Sequence, residues 1–302
     1  MKVQFKRGTD LRDAKGIYAY KGRSYPGATT VLGPHSDFIW VHMNEVGKYV
    51  VELYESVQTG ELMPTWRETE SGWEVVWETP HSLLLNADHV SKQGFRKLKE
   101  AADRGSTIHD MLADYAVGAA PDESQLDAYL QSLIFGKRRS CTIENVKPYA
   151  VSLLHWLDSV SPVLWVSEAS CFNDTHEYAG TFDAIAEVEG ELVMLDLKTS
   201  DTFKRTWMAQ IGAYSHSELF VADDGNGPVE CDTPQGLKCA VLQVLPDRYI
   251  YRSFDSEEAY KDLFLPALKA FQANKNVRLP KKGLTTKVGT DAQNTTQEEV
   301  HN

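Results

Sequence analysis

The segment Ile185-Ala-Glu-Val-Glu-Gly-Glu-Leu-Val-Met194 constrains this chain more than any other. Two apolar-rich runs flank Glu189-Gly190, the place for a two-residue hairpin turn, although glutamate is a weaker first turn residue than asparagine or aspartate. Centring the turn there pairs Val188 with Glu191 and, five residues further out, Asp183 with Asp196. Directly opposed residues have Cβ atoms about 4.5–5.5 Å apart. Lys198 lies two residues past Asp196, so it points to the same face. One bulge would shift the register and separate the acids.

Phe182, Ala184, Ile185, Leu195 and Leu197 surround the acids, which implies buried strands. Like charges directly opposed are destabilising. A buried carboxylate pair is costly unless it is protonated, paired or bound to metal. A divalent cation resolves the conflict, and hard oxygen ligands suit Mg²⁺ or Mn²⁺. On hairpin logic alone a second reading stands: Lys198 neutralises one acid, and a register shift carries the other away.

Composition sets the outer bounds. The 302 residues are 42% hydrophobic and 25% charged, which fits one large domain, or one domain with an appendage. No run of about 18 apolar residues offers a membrane span. Met1 to Asp10 is polar, so no secretory signal is expected. Cys141, Cys171, Cys231 and Cys239 contain no C-x-x-C pair, which points to free thiols in a reducing cytoplasm rather than a zinc site or disulfide framework. The net charge of −12 lacks the basic surface usual for sequence-independent DNA binding. Any nucleic-acid contact therefore needs local basic patches or a cation at the site.

Along the chain, Gly16 to Tyr25 reads as short strands and Pro26-Gly27 as a turn. Phe38 to Val57 has helical spacing. The tryptophan-rich stretch with Trp66, Trp73 and Trp77 reads as an aperiodic connection or a helical lid. Helices are expected over Val90–Gly118, Glu123–Phe135 and Val146–Val160, the last closed by Ser161-Pro162. Strands are expected over Val163–Phe172, Gly180–Val188 and Leu192–Leu197. A helix over Phe203–Val221 has Asp201 or Thr202 as its N-cap. Strands Cys239–Leu245 and Arg248–Phe254 and a terminal helix, Ser256–Asn274, complete the core. Residues from Pro280 onward read as a disordered tail. The order implies α/β or α+β architecture, of which α/β, with a mixed central sheet flanked by helices, is the expectation. The boundaries are 1–90 for an N-terminal strand, helical and Trp-rich region, 91–279 for the core and 280–302 for the tail.

Gly180-x-x-Asp183, Asp196-x-Lys198-Thr-Ser200 and Gln210-x-x-x-Tyr214 resemble the PD-(D/E)xK nuclease superfamily, in its RecB-like exonuclease branch. Arg104-Gly-Ser-Thr-Ile-His109 is similar to that branch's upstream Gly-x-x-x-His element, and Glu168 to its preceding strand acid. Tyr25-Pro-Gly-Ala-Thr-Thr-Val-Leu32 resembles a segment near the start of phage-type members and of the mitochondrial genome-maintenance exonuclease. The core motifs span roughly 100–220. Phe182 stands where the superfamily name has proline, a common departure in this branch.

The resemblance implies a restriction-endonuclease-like fold and a divalent-metal-dependent DNA exonuclease acting on single-stranded or end-bearing DNA. The setting it implies is phage or bacterial recombination, repair or replication, with a recombination or replication protein as a possible partner and no membrane. Asp183, Asp196, His109, Glu168 and the Leu197 carbonyl are the implied metal ligands. Lys198 orients the attacking water and stabilises phosphate charge, while Gln210 and Tyr214 line the site from one helix face. An imidazole in an oxygen shell favours Mn²⁺ somewhat. Thr199, Ser200, Arg104, Lys204 and Arg205 are candidate DNA contacts, as are Lys92 to Lys99 and Lys137-Arg-Arg139. Trp66, Trp73 and Trp77 could stack on bases, with packing as the alternative. Some relatives bind an iron–sulfur cluster through one upstream and three clustered cysteines; no such cluster of three exists here, so none is expected. An endonuclease on the same fold and a non-catalytic DNA-binding accessory are the competing readings.

Overall fold

A computed structural model describes residues 7–8, 11–12, 17–33, 63–69, 72–78, 87–223 and 226–275. The helix expected over Phe38–Val57 and the tail from Pro280 lie outside the described residues.

From the N-terminus, β1 (Arg7–Gly8) precedes a hairpin of β2 (Ile17–Tyr20) and β3 (Arg23–Pro26). The one-turn helix α1 (Ala28–Val31) follows. A second hairpin, β4 (Met63–Thr69) with β5 (Gly72–Glu78), occupies the tryptophan-rich stretch. Its register pairs Trp66 with Val75 and Trp73 with Glu68, which replaces the expected connection or helical lid. Helices α2 (Ala87–Ala116), α3 (Leu126–Gly136) and α4 (Ile143–Val160) come next. Ser161, at φ +49°, ends α4 in the left-handed region and donates its amide to the Leu157 carbonyl.

The sheet strands are β6 (Val163–Asn173), β7 (Tyr178–Val188), β8 (Glu191–Lys198), β9 (Leu219–Asp223), β10 (Pro228–Asp232), β11 (Lys238–Val244) and β12 (Tyr249–Phe254). Helix α5 (Arg205–Ser215) connects β8 to β9. The terminal helical run comprises α6 (Ser256–Glu258), a π-helical turn at Ala259–Phe264, and α7 (Leu265–Lys275).

Two expectations are corrected here, and one strand is added. The Phe203–Val221 helix ends at Ser215, and Leu219–Asp223 is a strand. Its N-cap position is Lys204, without a side-chain cap, so neither Asp201 nor Thr202 serves. The expected helix ran on because Phe220 and Val221 continue the apolar content without a breaker. Strand β10, short, polar and partly exposed, was not anticipated.

The large sheet has eight strands, ordered β1-β9-β6-β7-β8-β11-β12, with β10 also pairing β9. It is mixed: β8 and β11 run parallel, and the other pairs are antiparallel. Parallel neighbours need a crossover, and α5 lies within the segment that supplies it. One sheet face packs Val166, Phe182, Met194 and Val241 against Trp207 and Ile211 of α5 and Phe264 of the π-helical turn. The other packs Leu164, Ala184, Leu195 and Leu242 against Ile108 and Met111 of α2, Leu130 of α3 and Trp156 of α4. The result is a mixed sheet between two helical layers, the expected α/β class. The first hairpin docks at one end, where Tyr18 and Tyr25 enclose Phe172.

Among the described residues, no helix is long and apolar enough to cross a membrane.

Candidate active site

The β7–β8 turn forms at Glu189-Gly190, with φ of +52° and +83°. Positive φ at both central residues defines the type I′ turn, whose twist suits paired strands. The register runs from Val188–Glu191 to Ala184–Leu195, as the turn position requires. One step beyond lie Asp183 and Asp196. There an Asp183 carboxylate oxygen, Oδ2, accepts the Leu197 amide at 2.6 Å. A side chain thus takes a main-chain donor at the place where the β7–β8 ladder ends.

Across β6 and β7, the pairs Ser167–Ala184 and Ala169–Phe182 flank Glu168 and Asp183. Those two acids are therefore also opposed, and three acids fall in line across β6, β7 and β8. Glu168 has φ of +52°, rare for a residue with a long side chain. Val166 and Ala169, three apart, both face the α5 side, as do Phe182 and Ile185. Both strands therefore change face at the paired acids, and the strained backbone at Glu168 is part of that switch.

Helix α2 brings His109 over these acids. Its Nδ1 lies 3.1 Å from Asp183 Oδ1 and 3.8 Å from Glu168 Oε1. His109, Glu168 and Asp183 each offer one ligand atom within 4.8 Å of the others. Asp196, 2% exposed, forms an ion pair with Lys198 through Oδ2. Asp196 Oδ2 is buried, and no donor other than Lys198 reaches it.

The electrostatics fit a site short of positive charge. Burial favours neutral Asp183, but the charge and hydrogen bond of His109, with Lys198, hold its carboxyl below the ordinary range. Burial pushes Asp196 up; Lys198 opposes that shift and Asp183 adds to it. At His109, burial disfavours the imidazolium, yet Asp183 and Glu168 together hold its pKa well above the ordinary value. Burial likewise opposes a charged Lys198, and Asp196 and Asp183 outweigh it. Two protein cations, His109 and Lys198, thus face three carboxylates, Glu168, Asp183 and Asp196. One imidazole nitrogen, several carboxylate oxygens and an incompletely satisfied buried Asp196 oxygen form a donor set that fits Mg²⁺ or Mn²⁺.

These groups share a cleft of about 620 Å³, lined also by Gln210 and Tyr214. Gln210 Nε2 donates to the Tyr214 hydroxyl at 2.8 Å along one face of α5. Gly180 leaves room for that ring: a methyl there would lie 2.0 Å from Tyr214 Cε1. The β2–β3 hairpin and α1 add Tyr18 and Thr29 to the wall, and Tyr18 contacts Thr181 by a 3.1 Å hydroxyl pair.

The structure therefore brings together His109, Glu168, Asp183, Asp196, Lys198, Gln210 and Tyr214. Leu197 joins through its amide. None of Thr199, Ser200, Arg104, Lys204 and Arg205 lines this cleft. Arg104 lays its guanidinium 4.6 Å from the Tyr149 ring centroid, and its Nε is buried without a hydrogen bond. Thr199 meets Gly105, Ser200 offers its carbonyl to Gln243, Lys204 precedes α5, and Arg205 is its exposed first residue. Residues not singled out from sequence include Arg12, Tyr18, Thr29, Ser106, Asp110 and Thr181. Thr29, Ser106 and Thr181 lie inside the Tyr25–Leu32, Arg104–His109 and Gly180–Asp183 motifs; Arg12, Tyr18 and Asp110 carry no local signal. Arg139 of Lys137-Arg-Arg139 does line the cleft, held by Thr107 at 3.0 Å and by Asp110.

No family model matches the chain, and no curated protein matches it.

Proposed function

We propose that this chain is a divalent-metal-dependent deoxyribonuclease, an exonuclease that hydrolyses phosphodiester bonds of single-stranded or end-bearing DNA. The observation that carries the reading is the convergence of His109, Glu168 and Asp183 beside the Asp196–Lys198 pair in one cleft. The resemblance of these residues, in order and spacing, to RecB-like nucleases supports the same reading.

His109, Glu168, Asp183 and Asp196 would hold the cation, with the Leu197 carbonyl as a further ligand. When bound, a Mg²⁺ or Mn²⁺ ion lowers the pKa of a water and neutralises phosphate charge. The Lys198 ammonium would stabilise charge that develops on the phosphate in the transition state. Gln210 fixes the Tyr214 hydroxyl at the cleft wall, and Gly180 sets the depth of that ring. Tyr18, Thr29 and Thr181 supply hydroxyls suited to phosphate oxygens. Four free cysteines suit a reducing cytoplasm, with a setting in phage or bacterial recombination, repair or replication.

End-labelled linear and covalently closed circular single strands, incubated with Mn²⁺ beside Lys198→Ala, test this. Degradation of linear strands alone by wild type is expected. Cutting of circles makes the enzyme an endonuclease. If wild type and Lys198→Ala are equally inert with every divalent cation, the chain is a DNA-binding accessory.

A further inference from the structure

A buried amide beside the end of β8 has no part in the chemistry proposed above. Gln243 of β11 is 1% exposed and sits level with Lys198 on the neighbouring parallel strand. Its Nε2 donates to the Ser200 carbonyl at 2.9 Å and reaches the Asp201 carbonyl at 3.5 Å. Its Oε1 accepts from Arg252 Nη1 on β12. Two carbonyls demand the NH₂ end and a guanidinium demands the oxygen, so the amide has one satisfactory orientation.

The contacts continue toward the cleft. The Arg252 guanidinium lies 4.9 Å from the Phe203 ring centroid. Phe203 meets Trp207 edge to face at 5.7 Å, and Lys198 Nζ lies 5.9 Å from the Trp207 centroid. Residues 199–204 have no regular structure, and α5 starts without a side-chain cap. A turn of that kind needs an anchor from elsewhere, and Gln243 supplies one.

We infer that the Gln243–Arg252 pair is a positioning device for Lys198. It clamps the turn that follows Lys198 and, through Phe203 and Trp207, the wall beside the ammonium. The inference rests on the role given to Lys198 in phosphodiester hydrolysis. Gln243 and Arg252 touch no reacting atom; they act by holding the backbone and the aromatic pair that define where the ammonium sits. A structural pin without consequence for Lys198 is the competing account.

Four variants separate the accounts. Gln243→Met keeps similar volume and removes the polar contacts. Gln243→Glu keeps an acceptor for Arg252 but cannot donate to the two carbonyls. Arg252→Met removes the clamp from the edge strand. Steady-state hydrolysis of a linear single strand with Mn²⁺ is measured beside Mn²⁺ affinity and hydrogen exchange of the peptide spanning residues 199–204. Gln243→Met is expected to lower kcat by about 10- to 100-fold, the scale of lost supporting contacts around metal sites. KM should stay within about two-fold, as expected for loss of a transition-state interaction. Mn²⁺ affinity is unchanged and the peptide exchanges faster. Gln243→Glu should match it, and Arg252→Lys should retain more kcat than Arg252→Met.

An active wild type with an equally active Gln243→Met overturns the positioning role and leaves the nuclease reading in place. A kcat loss with unchanged exchange, or with a parallel loss of Mn²⁺ affinity, also overturns it. A wild type inert with every cation overturns the nuclease reading and this inference together. If Gln243→Met does not fold, Arg252→Met, at a half-buried position, carries the same outcomes.

Discussion

Gly180 and Tyr214 meet so closely that hydrogen is the only side chain the strand can carry there: a Cβ on Gly180 would lie 2.0 Å from Tyr214 Cε1 and 2.6 Å from Cδ1. The ring is buried, and its hydroxyl accepts from Gln210. A glycine on β7 thus decides where a tyrosine on α5 stands in the cleft.

Gly180→Ala should therefore displace the ring and break the Gln210 contact. We expect a loss of about 1–3 kcal/mol in urea denaturation, the usual cost of overpacking. A double-mutant cycle with Tyr214→Leu should give a coupling energy of about 1 kcal/mol, since the shortened side chain vacates the clash. Additive losses would place the cost of the methyl elsewhere.

The β7–β8 turn offers the opposite experiment. Glu189 occupies the left-handed region at φ +52°, a conformation that asparagine tolerates better. Glu189→Asn should stabilise the fold by about 0.5–1 kcal/mol in thermal or chemical denaturation. Glu189 is exposed and lies at the far end of the hairpin from Asp183, so Mn²⁺ binding should not change.

That hairpin was the most legible part of the chain, because a two-residue turn between apolar runs admits one register unless a bulge intervenes. The acids and the lysine on β7 and β8 followed from it. His109 and Glu168 were legible only through motif order. Their approach to Asp183 depends on how α2 crosses the sheet and on a left-handed residue inside β6, and no local pattern encodes either. The Met63–Thr69/Gly72–Glu78 hairpin was missed because Pro64 and Glu70-Ser71 blur its alternation. Strand β9 was absorbed into a helix because Leu219–Val221 is apolar in either form. Gln243 gave no signal at all: a glutamine in a strand acquires its meaning from the turn and the arginine that meet it across two neighbouring elements.

Asp103 provides a pH-dependent test away from the cleft. Its Oδ2 accepts from Lys99 Nζ and the Ser140 amide, both at 2.6 Å. Burial raises its pKa, but these bonds outweigh burial and hold it below the ordinary carboxyl range. A lowered folded-state pKa means that the carboxylate stabilises the fold above the unfolded value. That contribution is lost as pH falls through the folded value. Asp103→Ala should cost about 1–3 kcal/mol near pH 7, because the Ser140 amide loses its acceptor. The gap between wild type and variant should narrow as pH drops below about 4. A gap that is constant with pH would remove the charge from the explanation.

Cation binding should register as stability. Mn²⁺ at about 100 times its Kd should add about 2.7 kcal/mol to the wild type, and a chelator should reverse the gain. Asp183→Asn still offers an acceptor to the Leu197 amide but lacks the charge, so it should fold and lose most of that gain. His109→Ala should reduce it as well. Equal stabilisation of all three proteins would place the cation elsewhere.

The most direct measurement is the rate of nucleotide release from end-labelled linear single-stranded DNA, in Mn²⁺ and in excess chelator. Wild type, Lys198→Ala and Asp196→Asn are compared. The account predicts Mn²⁺-dependent release by wild type and a loss of about 10²-fold or more in each variant, the scale seen when a transition-state charge contact is removed. Release that persists in chelator, or that is the same in Lys198→Ala as in wild type, would contradict it.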